Sequence, residues 1–146
     1  MKSQINRWRN LKGALFHIPA VSIALILTAV ASLSLTAYVA KDADAAKRPI
    51  TFAFNGGPGA SSAWLHLGVM GPKRLPFGND GDLPSEPIAL QPNAETWLDF
   101  TDLVFVDPVG TGYSRFIASG DDVRRQFWSV DGDARGLARF VAKYLA

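Results

Sequence analysis

Asn55-Gly-Gly-Pro-Gly59 is the stretch of this chain whose residue types are best suited to chemistry. Glycine lets a backbone adopt positive φ and lets a ligand come close. Pro58 restricts Gly57 and stiffens the turn. Placed after a strand, such a turn aims backbone N–H groups into one concavity, which is what an oxyanion or a phosphate requires. A phosphate loop is disfavoured, because no lysine follows the glycines. Taken alone, a Gly/Pro turn is also ordinary loop punctuation. Two serines approach the Gly-x-Ser-x-Gly spacing of a nucleophile elbow. Ser61 follows Gly59 and Ser114 follows Gly112, but Ala63 and Phe116 stand where the second glycine belongs. His66 is a candidate base by type, yet on a helix after the turn it reads as a packed or surface histidine. Asp102 and Asp107 read as strand-end or loop aspartates. Trp64, Trp97 and Trp128 are expected to pack the core or line the cleft.

The elements that would position these residues are legible in outline. Pro49 to Phe54 reads as a strand with proline at its first position. Ala60 to Met70 is apolar enough for a short helix capped by Ser61 or Ser62. Gly71 to Pro92 is a long loop rich in Gly, Pro, Asn and Asp, of a length that suggests a functional role. Leu103 to Val106 is a continuous apolar run suited to a buried parallel strand, and it enters a second glycine-rich segment, Asp107 to Ser114. Val130, Ala134, Leu137, Val141 and Leu145 follow helical spacing, with Phe140 and Tyr144 widening the stripe. Asp131 and Asp133 near its start and Arg139 and Lys143 near its end suit the helix dipole. Gly132 and Gly136 weaken its first turns. Strands that end in glycine loops and alternate with helices predict an α/β fold with a mainly parallel sheet.

Composition narrows the function classes. The 146 residues are 48% apolar and 19% charged, which argues against disorder. The absence of cysteine excludes a disulfide scaffold, a zinc finger and a thiol nucleophile. Two histidines are too few for a His-rich metal cluster, and no metal or cofactor site is expected. Residues 1–40 carry a charge of +4 with no acid, whereas residues 41–146 carry −2, so no nucleic-acid-binding face is expected. The basic leader precedes an uncharged run from Gly13 to Ala40, which reads as a signal peptide or a membrane-spanning helix. Ala29-Val30-Ala31 is a plausible cleavage site. The expected division is an export or anchor segment at 1–35, touching the membrane through 13–35 if uncleaved, and an exported domain at 36–146. Without cysteine, that domain suits a bacterial envelope: periplasmic, secreted, or anchored to the inner membrane.

The ordered set Asn55-Gly-Gly-Pro-Gly-Ala-Ser-Ser62, Gly71-Pro72, Trp97-Leu98 and Val106-Asp-Pro-Val-Gly-Thr-Gly-Tyr-Ser114 resembles the serine carboxypeptidase family, most closely its bacterial members. The resemblance runs from about Thr36 to Ala146. It implies an α/β-hydrolase fold and a Ser-Asp-His triad that removes C-terminal residues from peptides without a cofactor. Gly57 would offer a backbone N–H to the oxyanion hole. Asn55 would hydrogen-bond the free carboxylate of a peptide substrate, with the Gly56 N–H nearby, and the loop from Asp107 to Ser114 would shape the pocket. Four positions depart from the family pattern. Ala53 replaces a tryptophan, Val69 replaces a glutamate, one residue is lacking before Pro108, and Ala60 stands where eukaryotic members have cysteine.

In the family the elbow follows the final helix seen here, so the chain is expected to be an N-terminal part that carries the oxyanion turn but not the triad, and to be inactive by itself. The losses at Ala53 and Val69 make a serine esterase or acyltransferase of the same fold the first alternative. A non-catalytic, membrane-tethered remnant is the other.

Overall fold

The computed structural model describes residues 20–28, 31–41, 43–44, 46–56, 59–82 and 88–146. Its main sheet is built around β6 (Asp102–Val106), whose five residues are all buried. The other strands of this sheet are β1 (Ala20–Thr28), β2 (Ala31–Tyr38), β3 (Ile50–Ala53) and β7 (Arg115–Phe116). Their order is β1-β2-β6-β3, with β7 pairing β2 beside β6. β3 runs parallel to β6, with Phe52 opposite Val104. β2 runs antiparallel to β6, with Ala37 opposite Val104. The pairs β1–β2 and β2–β7 are also antiparallel. The sheet is therefore mixed, and the expected mainly parallel arrangement does not hold among the described strands. The α/β class itself does.

The uncharged segment is where the structure departs most from expectation. Its described residues form an antiparallel hairpin instead of a signal or membrane helix, with Val21 opposite Ala37 and Leu25 opposite Leu33. Among the described residues no helix is long and apolar enough to cross a membrane. The physical reason lies in β2, where Ala31, Leu33, Leu35 and Ala37 alternate with Ser32, Ser34 and Thr36. A period of two puts all four apolar residues on one sheet face. A helix would scatter the hydroxyls around its circumference. The boundary expected between residues 35 and 36 falls inside this strand. Residues 1–19 and the cleavage site at Ala29-Val30 lie outside the described residues.

Each face of the sheet has its own core. On one, the apolar residues of β2 meet Val104, Val106, Leu137 and Phe140. On the other, Tyr38, Ala53, Leu103 and Phe105 pack with Met70. The first face is covered by α3 (Val130–Leu145), which follows α2 (Asp121–Phe127). Ser129 caps α3 by accepting the Gly132 N–H at 3.1 Å. Leu137, Phe140, Val141 and Tyr144 form the packed stripe. Val130, expected to open that stripe, is 88% exposed, because the first turns of α3 lie against α2. A Cβ on Gly132 would come within 1.8 Å of the Gln126 carbonyl, and one on Gly136 would sit 3.9 Å from the Phe127 ring. These glycines thus permit a close helix approach as well as lowering helix propensity.

The second face carries α1 (Ala63–Leu65), which widens into a π turn at His66–Met70. Beyond it the long loop is closed by β4 (Lys73–Arg74) pairing with β5 (Gln91–Pro92). A 3₁₀ turn at Trp97–Asp99, capped by the Thr96 hydroxyl, then leads to β6. Arg48 fastens this region. Its Nε donates to Asp102 Oδ1 at 2.8 Å, and its Nη2 donates to the Thr101 carbonyl at 3.1 Å and to the Leu98 carbonyl. Asp102 Oδ1 also accepts the Ala40 N–H at 3.0 Å.

Phe140 is fully buried, edge-on to Phe52 at 6.1 Å. Phe140→Ala is expected to lower unfolding stability by about 3–5 kcal/mol, whereas Val130→Ala stays within about 0.5 kcal/mol of the parent. Urea midpoints compare the two; equal losses would mean that α3 does not seat on the sheet through this stripe.

Candidate functional site

The two glycine-rich segments leave parallel neighbours, β3 and β6, at the same end of the sheet. A cleft of about 730 Å³ is lined by Ser61 and Ser62, just beyond the first segment, by Asp107, Gly112 and Tyr113 of the second, and by His66 and Phe105. A smaller cavity of about 300 Å³ lies along α2 and α3, away from both motifs.

Asn55 is half-buried at the exit of β3. Its backbone N–H donates to Ser62 Oγ at 3.2 Å, and its side-chain amide donates to the Gly56 carbonyl at 2.9 Å. Gly56 is exposed, and Gly59 turns the chain with φ 91°. Gly57, the expected oxyanion donor, and Pro58 lie outside the described residues. Ser62 does not cap α1 with its side chain. It is buried, and its hydroxyl donates to the Val106 carbonyl.

Asp107 gathers the opposite side. Its Oδ1 accepts the Ser62 N–H at 2.9 Å and its Oδ2 accepts the Tyr113 N–H at 3.2 Å. Its carbonyl accepts from Ser114 Oγ at 2.7 Å, and that oxygen accepts the Ser34 N–H at 2.8 Å. Ser114 is fully buried in this arrangement, so it serves as a brace between β2 and the loop and is not presented as a nucleophile. A Cβ on Gly112, where φ is 49°, would lie 2.0 Å from Asp107 Oδ2. Only glycine leaves room for the carboxylate there.

His66 forms the floor of the cleft. Its ring stacks on Phe105 with centroids 4.7 Å apart, and its Nε2 lies 2.5 Å from the Tyr38 hydroxyl. Burial lowers its pKa from the ordinary 6.5, opposed by the charge of Asp107. Burial likewise raises the pKa of Tyr38. A protonated tyrosine hydroxyl donating to a neutral imidazole is consistent with both shifts. Gly71 returns its N–H to the His66 carbonyl at 3.1 Å, and a Cβ there would meet that oxygen at 2.1 Å.

The departures from the family pattern have separate surroundings. Ala53 is buried with Met70 and Leu103 and supplies no polar group to Asn55. Val69 is 53% exposed. The turn around it is held by Asn93, whose role no local sequence pattern announces. The buried Asn93 amide donates to the carbonyls of Val69 and Gly71, each at 2.8 Å. Its only local signal is an Asx turn to the Glu95 N–H at 3.1 Å. Arg48 was equally unmarked. The three tryptophans are not core residues. Trp64 and Trp128 are mostly exposed and Trp97 is 40% exposed; Trp128 packs edge-on to Phe116 at 5.5 Å.

The His66 shift predicts a pH dependence. Below about pH 6.5 the unfolded chain takes up a proton that the folded ring resists, so stability falls as pH drops through that value toward the lower folded pKa. Unfolding midpoints should therefore decline from about pH 7 to 5, and His66→Gln should flatten the decline. An unchanged slope in that variant would assign the dependence to other groups.

Residues 37–146 match the serine carboxypeptidase family. Among curated relatives, the pheromone-processing carboxypeptidase KEX1 of Metarhizium acridum is 46% identical over 93 residues, which cover 63% of this chain and 13% of that protein. The corresponding protein of Pyricularia oryzae is 38% identical over 79 residues, or 50% of this chain and 11% of the relative. That of Sclerotinia sclerotiorum is 43% identical over 61 residues, or 41% and 9%. The matched part thus spans about a tenth of these relatives' length. With residues 37–146 matched and the two glycine-rich segments joined by hydrogen bonds through Ser62, the chain belongs to the serine carboxypeptidase family.

Proposed function

We propose that this chain is the N-terminal part of a serine-type carboxypeptidase. It supplies the oxyanion turn and the pocket for a substrate's C-terminal carboxylate, and the Ser-Asp-His triad is supplied by sequence outside these 146 residues. The observation that carries this reading is the hydrogen-bonded link from the Asn55 turn to the Asp107 loop through Ser62, at the edge of a cleft that Ser62 and Asp107 line. In such an enzyme a serine attacks the scissile carbonyl with histidine as base, and backbone N–H groups stabilise the oxyanion. The Gly57 N–H is the proposed donor. The Asn55 amide, with the Gly56 N–H, holds the free carboxylate. Charge-assisted hydrogen bonds of this kind favour a peptide with a free C-terminus over an amidated one.

No Gly-x-Ser-x-Gly sequence occurs in the chain, and Ser62 and Ser114 are both buried and hydrogen-bonded. The chain alone is therefore proposed to bind and not to hydrolyse. Ala53 and Val69 favour a second reading, a serine esterase or acyltransferase of the same fold, in which no free carboxylate is recognised.

We also propose that the protein acts outside the cytoplasm, supported by the acid-free basic leader in residues 1–19. A reporter enzyme active only after export, fused after Ala46, should be active; activity confined to the cytoplasm would refute export.

Binding separates the two catalytic readings. The chain should bind N-acetyl-phenylalanine more tightly than its amide, followed by amide shifts at Asn55 and Gly56, and should leave a blocked dipeptide uncleaved. Asn55→Ala should erase the preference, which corresponds to about tenfold or more for a hydrogen bond to a charged group. Equal binding of acid and amide by the parent chain would favour the esterase reading. Turnover with covalent labelling of Ser61 by a fluorophosphonate would show that the nucleophile lies within the chain.

A further inference from the structure

We infer that Asp107 is the positioning residue of this site: its carboxylate locks the Asn55–Ser62 turn to the Asp107–Ser114 loop and thereby sets where the Asn55 amide stands. Its consequence for substrate rests on the carboxylate-binding reading above; the lock itself rests on geometry.

Both carboxylate oxygens are engaged by different segments, Oδ1 by the Ser62 N–H at 2.9 Å and Oδ2 by the Tyr113 N–H at 3.2 Å. The first bond continues inward, because Ser62 Oγ accepts the Asn55 N–H at 3.2 Å. Asp107 is itself immobilised. Its N–H donates to the Ser34 carbonyl at 3.0 Å, and its own carbonyl accepts from Ser114 Oγ at 2.7 Å. It also follows directly on the buried strand β6. Gly112 lies bare against Oδ2, where any Cβ would displace the carboxylate. A rigid strand therefore ends in one anion that presents two acceptors to N–H donors on two different segments. Two ionised-acceptor hydrogen bonds on one carboxylate restrict both loops more than neutral pairs would.

The isosteric change Asp107→Asn is informative because it keeps shape and removes the second acceptor. Whichever way the amide turns, one of the two N–H groups then faces an NH₂ donor. In the 146-residue chain, hydrogen exchange at Ser62, Tyr113 and Asn55 should accelerate together by about tenfold or more, while Ala37 and Val104 in the central sheet keep their protection. N-acetyl-phenylalanine should bind about tenfold more weakly. Gly112→Ala, which retains the carboxylate but pushes it aside, should reproduce the exchange pattern and serves if Asp107→Asn fails to fold. Parental protection at Asn55 in a folded variant would overturn the inference, because Asn55 reaches Asp107 only through Ser62. Parental affinity together with accelerated exchange would overturn it as well. If the parent chain binds acid and amide equally, the carboxylate reading fails by itself, and the exchange at Asn55 still decides the role of Asp107.

Discussion

The constraint on which the rest depends is that β6 is buried on both faces and paired on both edges, yet carries a carboxylate in its first residue and another just past its last. A carboxylate side chain buried in such a place needs a partner for its oxygens. Arg48 answers it with a guanidinium whose side chain is only 13% exposed, against 8% for Asp102. The remaining donors of Arg48 go to carbonyls of Leu98, Asp99 and Thr101. One requirement therefore determines how the connection from β2 to β3 and the turn before β6 are arranged. Removing one partner of such a buried pair typically costs about 3–5 kcal/mol, because the other charge is stranded. The exposed pairs Lys47–Asp44, Arg125–Asp122 and Arg135–Asp131 belong to a class worth about 0–1 kcal/mol each. At the other end the same logic is met by backbone donors, and this places Asp107 between the two glycine-rich segments. One aspartate orients the entry to the strand and the other orders its exit.

How much of this was legible in the sequence depended on how locally each feature is encoded. β3, β6 and α3 were readable from short-range pattern alone, and so was the pairing of two strands with glycine loops. The hairpin of β1 and β2 was not. A run without charge dominates any reading by hydropathy, and the alternation of Ser32, Ser34 and Thr36 with alanine and leucine was masked by the apolar residues before it. The sheet's mixed polarity was hidden with it, since β2 supplies its antiparallel pairs. Arg48 and Asn93 were illegible for another reason. Their partners lie about fifty and about twenty residues away, and nothing in the local residue types records that separation. Of the expected site, the Asn55 turn and the Asp107 loop do meet, and Gly57 lies outside the described residues. That Asp107 is the link, and Ser114 a brace, depends on partners 45 and 80 residues away in sequence.

The family departures acquire a physical meaning once the surroundings of residue 69 are clear. In this chain Asn93 and Thr96 bind that turn through main-chain oxygens, Asn93 at Val69 and Gly71 and Thr96 at Met70 with 3.0 Å. The path of the turn is thus independent of the side chain at 69, which projects outward as an exposed valine. Ala53 points the other way, into the core beside Met70, where a larger residue would require repacking. Neither residue offers a polar side chain, and neither disturbs the backbone around it. Specificity can shift in such a case while the fold stays the same, because function resides in the site and not in the scaffold.

The polar groups of the cleft divide by how firmly they are already committed. Among the described residues no buried side-chain nitrogen or oxygen lacks a partner. Ser62 and Asp107 spend their capacity inside the protein, and replacing those bonds with bonds to a ligand would leave the groups they now serve unsatisfied. Asn55 is different. The bond of its amide to the Gly56 carbonyl joins neighbours at an exposed position, where water can take over either partner at little cost. The amide is thus anchored through its backbone to Ser62, while its side-chain bond is readily exchanged. If Asn55 takes a substrate carboxylate as proposed, a fixed main chain and an exchangeable side-chain bond are the combination that role requires.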